Sequence, residues 1–257
     1  MRVEDSAGLR TTDLSVRYGG LVANDRISLS VAPGEIVGLI GPNGAGKTTF
    51  VDAVTGFTAA AGEVRLGADR VDGMPAHQRR RHGLSRTWQA GELFGNLTVA
   101  QNIEVAVAHG GFGAILRDLF LPRRGSLRTT VTEALWAVGL EGIEDTVTRD
   151  LSLGQQKLVG VARALAGSCQ VVLLDEPAAG LDSQESLEFA ERVRGIADGG
   201  PGVLLIDHDM SLVLGVCDRV YVMEFGKVIF TGTPAQARTD PRVIAAYLGV
   251  PMESANA

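Results

Sequence analysis

The sequence predicts an α/β fold, because short apolar strands alternate with helices along much of the chain. Residues 171–174 and 203–206 are all-apolar runs with the length of buried strands. A helix begins between them at Asp182, and Glu185, three residues later, completes a capping box. Residues 35–40, which are apolar or glycine after Glu35, are predicted to form a third buried strand, which a glycine-rich loop and then a helix follow directly.

Glycine and proline set the ends of the other predicted helices. The helix after the glycine-rich loop spans residues 47–55, with Gly56 in the C′ position. Three further helices are each followed by a glycine: 75–82 with Pro75 at N1, 130–138, and 152–166 with Ser152 as N-cap.

The remaining segments complete the predicted fold. Residues 93–150 contain helical pieces and loops without a clear strand pattern, so we interpret them as a helical insertion. Residues 220–224 and 227–231 are typical of a hairpin. A last helix begins at Asp240-Pro241, and Gly249 is predicted to end it.

Composition and charge restrict the class of protein. Of the 257 residues, 45% are hydrophobic and 21% are charged, which is typical of globular proteins. The net charge of −6 differs from the basic charge that is typical of nucleic-acid-binding domains, so we expect no nucleic-acid partner. No apolar run approaches the ~18 residues that a membrane span needs. Cys169 and Cys217 provide neither a disulfide framework nor metal-ligand spacing.

One segment matches the phosphate-binding motif G-x-x-x-x-G-K-[ST] in full, between a predicted strand and a predicted helix. Its glycines allow backbone N–H groups to face phosphate oxygens, and the helix N-terminus adds the positive end of its dipole. We expect Lys47 to reach the β- and γ-phosphates and the Thr48 hydroxyl to ligate Mg²⁺. The predicted nucleotide-binding residues here are Gly41, Pro42, Asn43, Gly44, Ala45, Gly46, Lys47, Thr48 and Thr49.

Two carboxylates follow the apolar run at 171–174. The carboxyl ends of parallel strands face the ligand in nucleotide-binding α/β sheets. Asp175 is therefore predicted to hold Mg²⁺, and Glu176 to act as the general base that polarises the attacking water.

A further segment, Leu151-Ser152-Leu153-Gly154-Gln155, precedes a predicted helix. With this signature segment the chain resembles the ATP-binding subunits of ABC transporters. The resemblance implies a P-loop NTPase fold with a RecA-like core, an antiparallel β subdomain and a helical insertion. It covers residues 9–249 as a single domain, with a helical subdomain over about 93–167 and terminal tails at 1–8 and 250–257.

The resemblance also implies that the protein binds ATP with Mg²⁺ and hydrolyses the ATP at a dimer interface. Ser152, Gly154 and Gln155 would hold the γ-phosphate of the nucleotide bound to the other subunit of a head-to-tail dimer. Leu153 departs from the commonest pattern, which has glycine there, and a side chain at this position forbids a positive φ.

Four other residues occupy positions with known roles in the family. Tyr18 resembles the aromatic residue that stacks on adenine. Gln89, in the run Arg86-Thr87-Trp88-Gln89, resembles the glutamine that touches Mg²⁺ and links the helical insertion to the core. Asp182 lies in a segment, 179–182, that resembles the D-loop, and His208 resembles the switch histidine that reaches the γ-phosphate.

Other segments indicate a branch of the family. Trp88 and the runs 93–99, 208–210 and 243–249 resemble the subunits that serve importers of branched-chain, hydrophobic amino acids, although urea and amide importers share much of this pattern. The implied partners are transmembrane permeases, a second ATPase subunit, with a heterodimer favoured, and indirectly an extracytoplasmic binding protein. The implied location is the cytoplasmic face of the cell membrane.

Two other classes of function fit the sequence less well. A soluble ABC-type mechanical ATPase usually carries two cassettes, long coiled coils or zinc modules, none of which is visible. A GTPase would need an Asn-Lys motif, which the three lysines do not supply, and a kinase would not explain residues 151–155. The basic cluster at 79–81 with Arg86 is interpreted as helix-terminal charges. The cluster at 123–128 is interpreted as a solvated loop, with contact to lipid headgroups beside the membrane partner as the alternative.

Overall fold

A six-stranded sheet forms the centre of the structure, a computed structural model that describes residues 8–87, 93–107, 124–207 and 210–248. All neighbouring strands in this sheet are parallel except the two strands of the hairpin at one edge. Numbered in chain order, the strands lie side by side as β10 (Lys227–Gly232), β9 (Arg219–Glu224), β3 (Ile36–Ile40), β8 (Gly202–Ile206), β7 (Val171–Asp175) and β6 (Leu84–Arg86). The three predicted apolar strands and the hairpin are therefore confirmed.

A second sheet is antiparallel and was not found strand by strand from the sequence. Its strands lie in the order β2 (Leu21–Val31), β1 (Leu9–Tyr18), β4 (Ala61–Leu66) and β5 (Asp69–Arg70). Positive φ angles at Asp13 and Arg26 accompany shifts in the β1–β2 register. Such irregularities interrupt the two-residue alternation that identifies a strand in a sequence.

The nine described α-helices surround the central sheet. In chain order they are α1 (Lys47–Thr55), α2 (Ala76–Arg81), α3 (Val99–Val107), α4 (Arg124–Val138), α5 (Leu153–Leu165), α6 (Ser183–Asp198), α7 (Met210–Val216), α8 (Pro234–Ala237) and α9 (Pro241–Leu248). The predicted N-cap of α5 and the predicted capping box of α6 are confirmed. Gly56 ends α1 as predicted, but it is the C-cap and not the C′ residue. Pro75 is the N-cap of α2, so its prediction at N1 was wrong by one position, because its ψ of 160° is extended. Gly249, predicted to end α9, lies outside the described residues.

Helices α3, α4 and α5 pack together in the region that was interpreted as a helical insertion. Among its described residues the only β pairing is the isolated bridge between Thr98 and Val147. The buried amide of Asn102 holds the preceding turn together, since it accepts from the Phe94 N–H at 2.8 Å and donates to the Thr98 carbonyl at 3.0 Å.

The central sheet separates two apolar cores. Ile36 and Ile40 of β3 face a core that includes residues from α3 to α7. Val37 and Leu39 face the other core, formed with α1 and the antiparallel sheet. This arrangement buries both faces of β3 and agrees with its continuous apolar sequence. None of the described helices is long and apolar enough to cross a membrane.

The basic residues 79–81 lie in the last turn of α2, as predicted, and Arg79 in addition joins this helix to other elements. The buried Arg79 guanidinium donates to the carbonyls of Ala53 and Val54 at 2.8 and 2.6 Å, near the C-terminus of α1. It also donates to the carbonyls of Asp72 and Met74. Burial lowers the pKa of Arg79, and the Asp72 carboxylate opposes the shift.

We predict that Arg79→Lys lowers the free energy of unfolding by about 3 kcal/mol, because a single ammonium cannot satisfy four main-chain carbonyls that lie in different directions. Urea denaturation measures this change. The matched control is Arg81→Lys at an exposed position of the same helix, for which a change below about 0.5 kcal/mol is expected. Equal stability of the two variants would contradict the capping role of Arg79.

Candidate nucleotide-binding site

The candidate site lies where β3, β8 and β7 end at one edge of the central sheet. These strands are neighbours and parallel, so their carboxyl ends lie side by side. The nucleotide loop, residues 41–48, follows β3, while Asp175 ends β7 and Glu176 follows it. The buried Asp207 follows β8. The chain thus brings its phosphate-binding motif and its acidic residues to one edge, as ligand sites in open α/β sheets require.

The nucleotide loop packs against the β9–β10 hairpin. The Gly226 N–H at the hairpin turn donates to the Ala45 carbonyl at 3.0 Å. A Cβ at Gly41 would overlap the Met223 carbonyl of β9. Gly44, with φ +81°, has open space where a Cβ would be, so its backbone is accessible from outside the loop.

Lys47, at the start of α1, lies beneath the loop. Its buried ammonium donates to the Gly41 and Pro42 carbonyls at 2.7 and 3.1 Å. Burial lowers the pKa of Lys47, while the negative charges of Glu176 and Asp175 oppose this shift. Those carboxylates therefore favour the charged ammonium, which is the form that attracts phosphate.

The first turn of α1 presents the two predicted threonines. The Thr48 side chain is exposed and that of Thr49 is half-buried. The N-cap of α1 is Gly46, which has no side chain to satisfy the first N–H groups of the helix. Free N–H groups at a helix N-terminus favour a bound anion.

Asp175 is held by an ion-pair bridge that links three elements. Arg86, at the end of β6, donates to the Asp175 carboxylate at 2.8 Å and to Asp52 of α1 at 2.5 Å. Asp175 is only 5% exposed. A buried carboxylate needs such a partner, so Arg86 fixes its place beside the loop. This bridge was not predicted from the sequence, where Arg86 belongs to a basic cluster, because no local pattern connects it with Asp52 or Asp175.

Glu176 turns the chain away from the end of β7. Its φ of +47° is unusual for a residue with a side chain, and its N–H donates to the Ile206 carbonyl of β8 at 2.7 Å. Backbone strain of this kind persists where surrounding contacts enforce it. Glu176 lines a cleft of about 380 Å³ together with Gly41, Pro42, Asn43 and Tyr247.

The signature segment begins α5. The Ser152 hydroxyl accepts from the Gln155 N–H at 3.2 Å, and the Gln155 side chain accepts from the Ser152 N–H at 3.1 Å. Leu153 is 41% exposed, and its Cδ2 lies 3.3 Å from where a Cβ would stand on Gly180. The leucine that departs from the family pattern therefore packs against the segment 179–182.

Lys157, one turn further along α5, is a charged residue near the site that the sequence analysis did not assign. Burial lowers its pKa, and the carboxylates of Asp207 and Glu176 oppose the shift. The sequence feature that could have identified Lys157 was the rarity of lysine, because the chain contains only three lysines.

The other predicted site residues differ in what the structure says of them. Asp182 is the N-cap of α6, where its carboxylate accepts from the Glu185 N–H at 2.8 Å. Tyr18, at the end of β1, is 52% exposed, and its hydroxyl lies 3.5 Å from that of Thr58. Gln89 and His208 lie outside the described residues, as do Trp88 and Asp209.

The residues of the candidate site fit a nucleoside triphosphate bound together with Mg²⁺. The loop offers an ammonium, an accessible glycine backbone and the first N–H groups of α1. Mg²⁺ in such sites is usually held by one or two protein oxygens together with phosphates and water. The Thr48 hydroxyl and the Asp175 carboxylate supply that kind of donor. Accordingly, no cluster of three or more metal-ligating side chains occurs in the part of the chain that the structure describes.

Comparison with known proteins identifies the family. The model of the family described as "ABC transporter" matches residues 24–179, and that described as "Branched-chain amino acid ATP-binding cassette transporter" matches residues 227–252. The first match contains the nucleotide loop, the signature segment and both carboxylates, whereas the second contains α8 and α9.

Individual relatives cover nearly the whole chain. The high-affinity branched-chain amino acid transport ATP-binding protein LivG of Escherichia coli (strain K12) is 38% identical over 249 residues, which are 94% of this chain and 97% of LivG. The lipopolysaccharide export system ATP-binding protein LptB of the same strain is 34% identical over 244 residues, 95% of this chain and 98% of LptB.

A solved structure is similar over the same length. The ADP conformation of MJ1267, an ATP-binding cassette of an ABC transporter, has a TM-score of 0.83 and 28% identity, and the match covers 95% of this chain and 99% of MJ1267. The predicted P-loop fold of the ABC ATPases is thus confirmed. The chain belongs to the ATP-binding subunits of ABC transporters, a family of ATPases that couple ATP hydrolysis to transport.

Proposed function

We propose that this chain is the ATP-hydrolysing subunit of an importer of branched-chain amino acids. The observation that carries the proposal is the match of residues 227–252 to the branched-chain amino acid transporter model, in a chain whose remaining length resembles LivG. LptB, named for lipopolysaccharide export, is also similar, at lower identity. Lipopolysaccharide export is therefore the second candidate function.

The nucleotide loop binds the phosphates of ATP in this proposal. Backbone N–H groups of residues 41 and 43–46 and the N-terminus of α1 surround the phosphate oxygens. The Lys47 ammonium reaches the β- and γ-phosphates, and Thr48 and Thr49 begin the helix beneath them. Tyr18 stacks on the adenine.

Mg²⁺ neutralises charge on the β- and γ-phosphate oxygens when bound. Thr48 and Asp175 would hold it, with Gln89 as a further oxygen ligand. The bridge from Arg86 keeps the Asp175 carboxylate in one orientation at the edge of the sheet. The buried ion pair of Arg86 and Asp175 therefore serves to position the carboxylate, because the free energy of desolvating the two charges offsets much of their attraction.

Glu176 is the general base of the hydrolysis. It takes a proton from the water whose oxygen attacks the γ-phosphorus, the bond to the β-phosphate oxygen breaks, and the products are ADP and inorganic phosphate. His208 stabilises the γ-phosphate during this step. The contact between the Glu176 N–H and the Ile206 carbonyl fixes the backbone that presents the carboxylate.

The signature segment acts on the nucleotide of a second ATPase subunit. Ser152, Gly154 and Gln155 contact its γ-phosphate, and Asp182 lies in the D-loop beside them. Leu153 couples the two segments within one chain, because its side chain packs beside Gly180. Two subunits arranged head to tail then enclose two ATP molecules.

Closure of this dimer would move the helical subdomain, residues 93–167 of the single domain 9–249. Its partners are the transmembrane permeases at the cytoplasmic face of the membrane, and these meet the extracytoplasmic binding protein on the other side. A heterodimer with a second, similar ATPase subunit is favoured.

Glu176→Gln is expected to lower the ATP hydrolysis rate at least tenfold, which is about 1.4 kcal/mol in barrier, because an amide cannot accept the proton. Phosphate release by the purified chain measures the rate, and ATP affinity should be retained. Glu133→Gln, at an exposed position of α4, is the matched control and should keep the wild-type rate. Hydrolysis by Glu176→Gln at the wild-type rate would contradict the assignment of the general base.

The transport proposal is tested by isolating the chain from native membranes in mild detergent. We expect multi-spanning permeases and a second ATPase subunit to accompany it, and the binding protein loaded with leucine to stimulate ATP hydrolysis by the complex. Stimulation by lipopolysaccharide or by urea, but not by leucine, would reject the branched-chain substrate. Recovery with ribosomes or DNA-repair factors instead of permeases would reject the importer.

A further inference from the structure

A tyrosine from the C-terminal helix enters the nucleotide cleft. The cleft of about 380 Å³ is lined by Gly41, Pro42, Asn43, Glu176 and Tyr247. The first three belong to the nucleotide loop, and Glu176 is the proposed general base. Tyr247 has no role in the mechanism above. It belongs to helix α9, which is far from the nucleotide loop in the sequence.

Helix α9 holds this tyrosine firmly. Val243 and Ala246 are buried, and Tyr247 packs beside them against the larger apolar core. Their spacing of three and four residues places all three on one face of the helix. The ring therefore lies in one place, beside the nucleotide loop at the lining of the cleft.

The hydroxyl is a buried donor that needs an acceptor. Among the described residues, none forms a hydrogen bond of ordinary geometry with the Tyr247 Oη. Burial raises the pKa of Tyr247 to about 12, although the Gly41 backbone opposes the shift. The phenol therefore keeps its proton at neutral pH. A buried donor without a partner is unfavourable, so an acceptor in the cleft would be bound favourably.

The neighbours of Tyr247 indicate which acceptor this is. Glu176 acts on the water that attacks the γ-phosphorus, so the part of the cleft beside it is the γ-phosphate end. Phosphate oxygens accept hydrogen bonds and donate none when fully ionised, which suits a phenol that can only donate to them. Lys47, on the other side of Gly41, approaches the same phosphates.

We propose that the Tyr247 hydroxyl donates a hydrogen bond to a γ-phosphate oxygen of the ATP bound by the same chain, so that the C-terminal helix distinguishes ATP from ADP. The inference rests on the proposed function, because it takes the cleft to be the γ-phosphate end of the nucleotide site. The role belongs to the segment matched by the branched-chain transporter model, residues 227–252.

The test compares two affinities in one preparation. Full-length wild-type and Tyr247→Phe chains are titrated calorimetrically with the non-hydrolysable analogue AMP-PNP and with ADP, both with Mg²⁺. We expect Tyr247→Phe to weaken AMP-PNP binding about tenfold, or about 1.4 kcal/mol. ADP binding should change by less than about twofold, because ADP lacks the group that the hydroxyl contacts. The ratio of the AMP-PNP affinity to the ADP affinity does not depend on the fraction of the protein that is folded.

Tyr221→Phe is the matched control. The Tyr221 hydroxyl bonds Arg219 at 2.8 Å, away from the cleft lining, so its loss should leave the ratio of the two affinities unchanged. Equal weakening of AMP-PNP and ADP by Tyr247→Phe, or no change in either, would overturn the γ-phosphate contact. A wild-type chain that binds neither nucleotide would instead contradict the proposed function, and this inference with it.

Discussion

The nucleotide loop, the β9–β10 hairpin and β2 approach one another so closely that only glycine fits where they meet. A Cβ on Gly41 would overlap the Met223 carbonyl, and one on Gly46 would lie 2.7 Å from the Ala23 carbonyl. A Cβ on Gly226 would lie 2.5 Å from the same Ala23 carbonyl. All three glycines also have φ values in the range that disfavours side chains. This packing fixes the loop relative to the sheet, and the other parts of the site depend on that position.

The acidic residues of the site are arranged around the cation that the loop holds. Lys47 is buried, and its ammonium would lose a proton more readily without nearby carboxylates. Asp175 and Glu176 therefore stabilise the positive charge that attracts phosphate. Asp175 needs Arg86 in turn, and Glu176 needs a backbone contact with β8 to keep a positive φ. Each chemical group at the edge of the sheet is thus held by a neighbouring element, which links the fold directly to the site.

The sequence predicted five of the six central strands and the helices α1, α5 and α6 because each carries its own local signal, but it did not locate the short strand β6 or the helix α8. It did not locate β1 and β2, since the bulges near Asp13 and Arg26 break the two-residue alternation. It identified the nucleotide loop and the two carboxylates by motif, but it missed Arg86 as the partner of Asp175 and Tyr247 as part of the cleft. These contacts join residues far apart in the chain, and no local pattern encodes them. The roles of Gln89, His208 and Tyr18 stay predictions.

Behind the nucleotide loop the packing is so close that only glycine fits, and this packing sets the ability of the loop to bind phosphates. Gly226→Ala tests this claim most directly. Gly226 lies on the hairpin, outside the phosphate-binding motif. Titration with ADP should show at least tenfold weaker binding in a variant that still unfolds cooperatively. Gly215→Ala, where a Cβ meets open space, is the control and should bind like wild type. Wild-type ADP affinity in folded Gly226→Ala would contradict the claim.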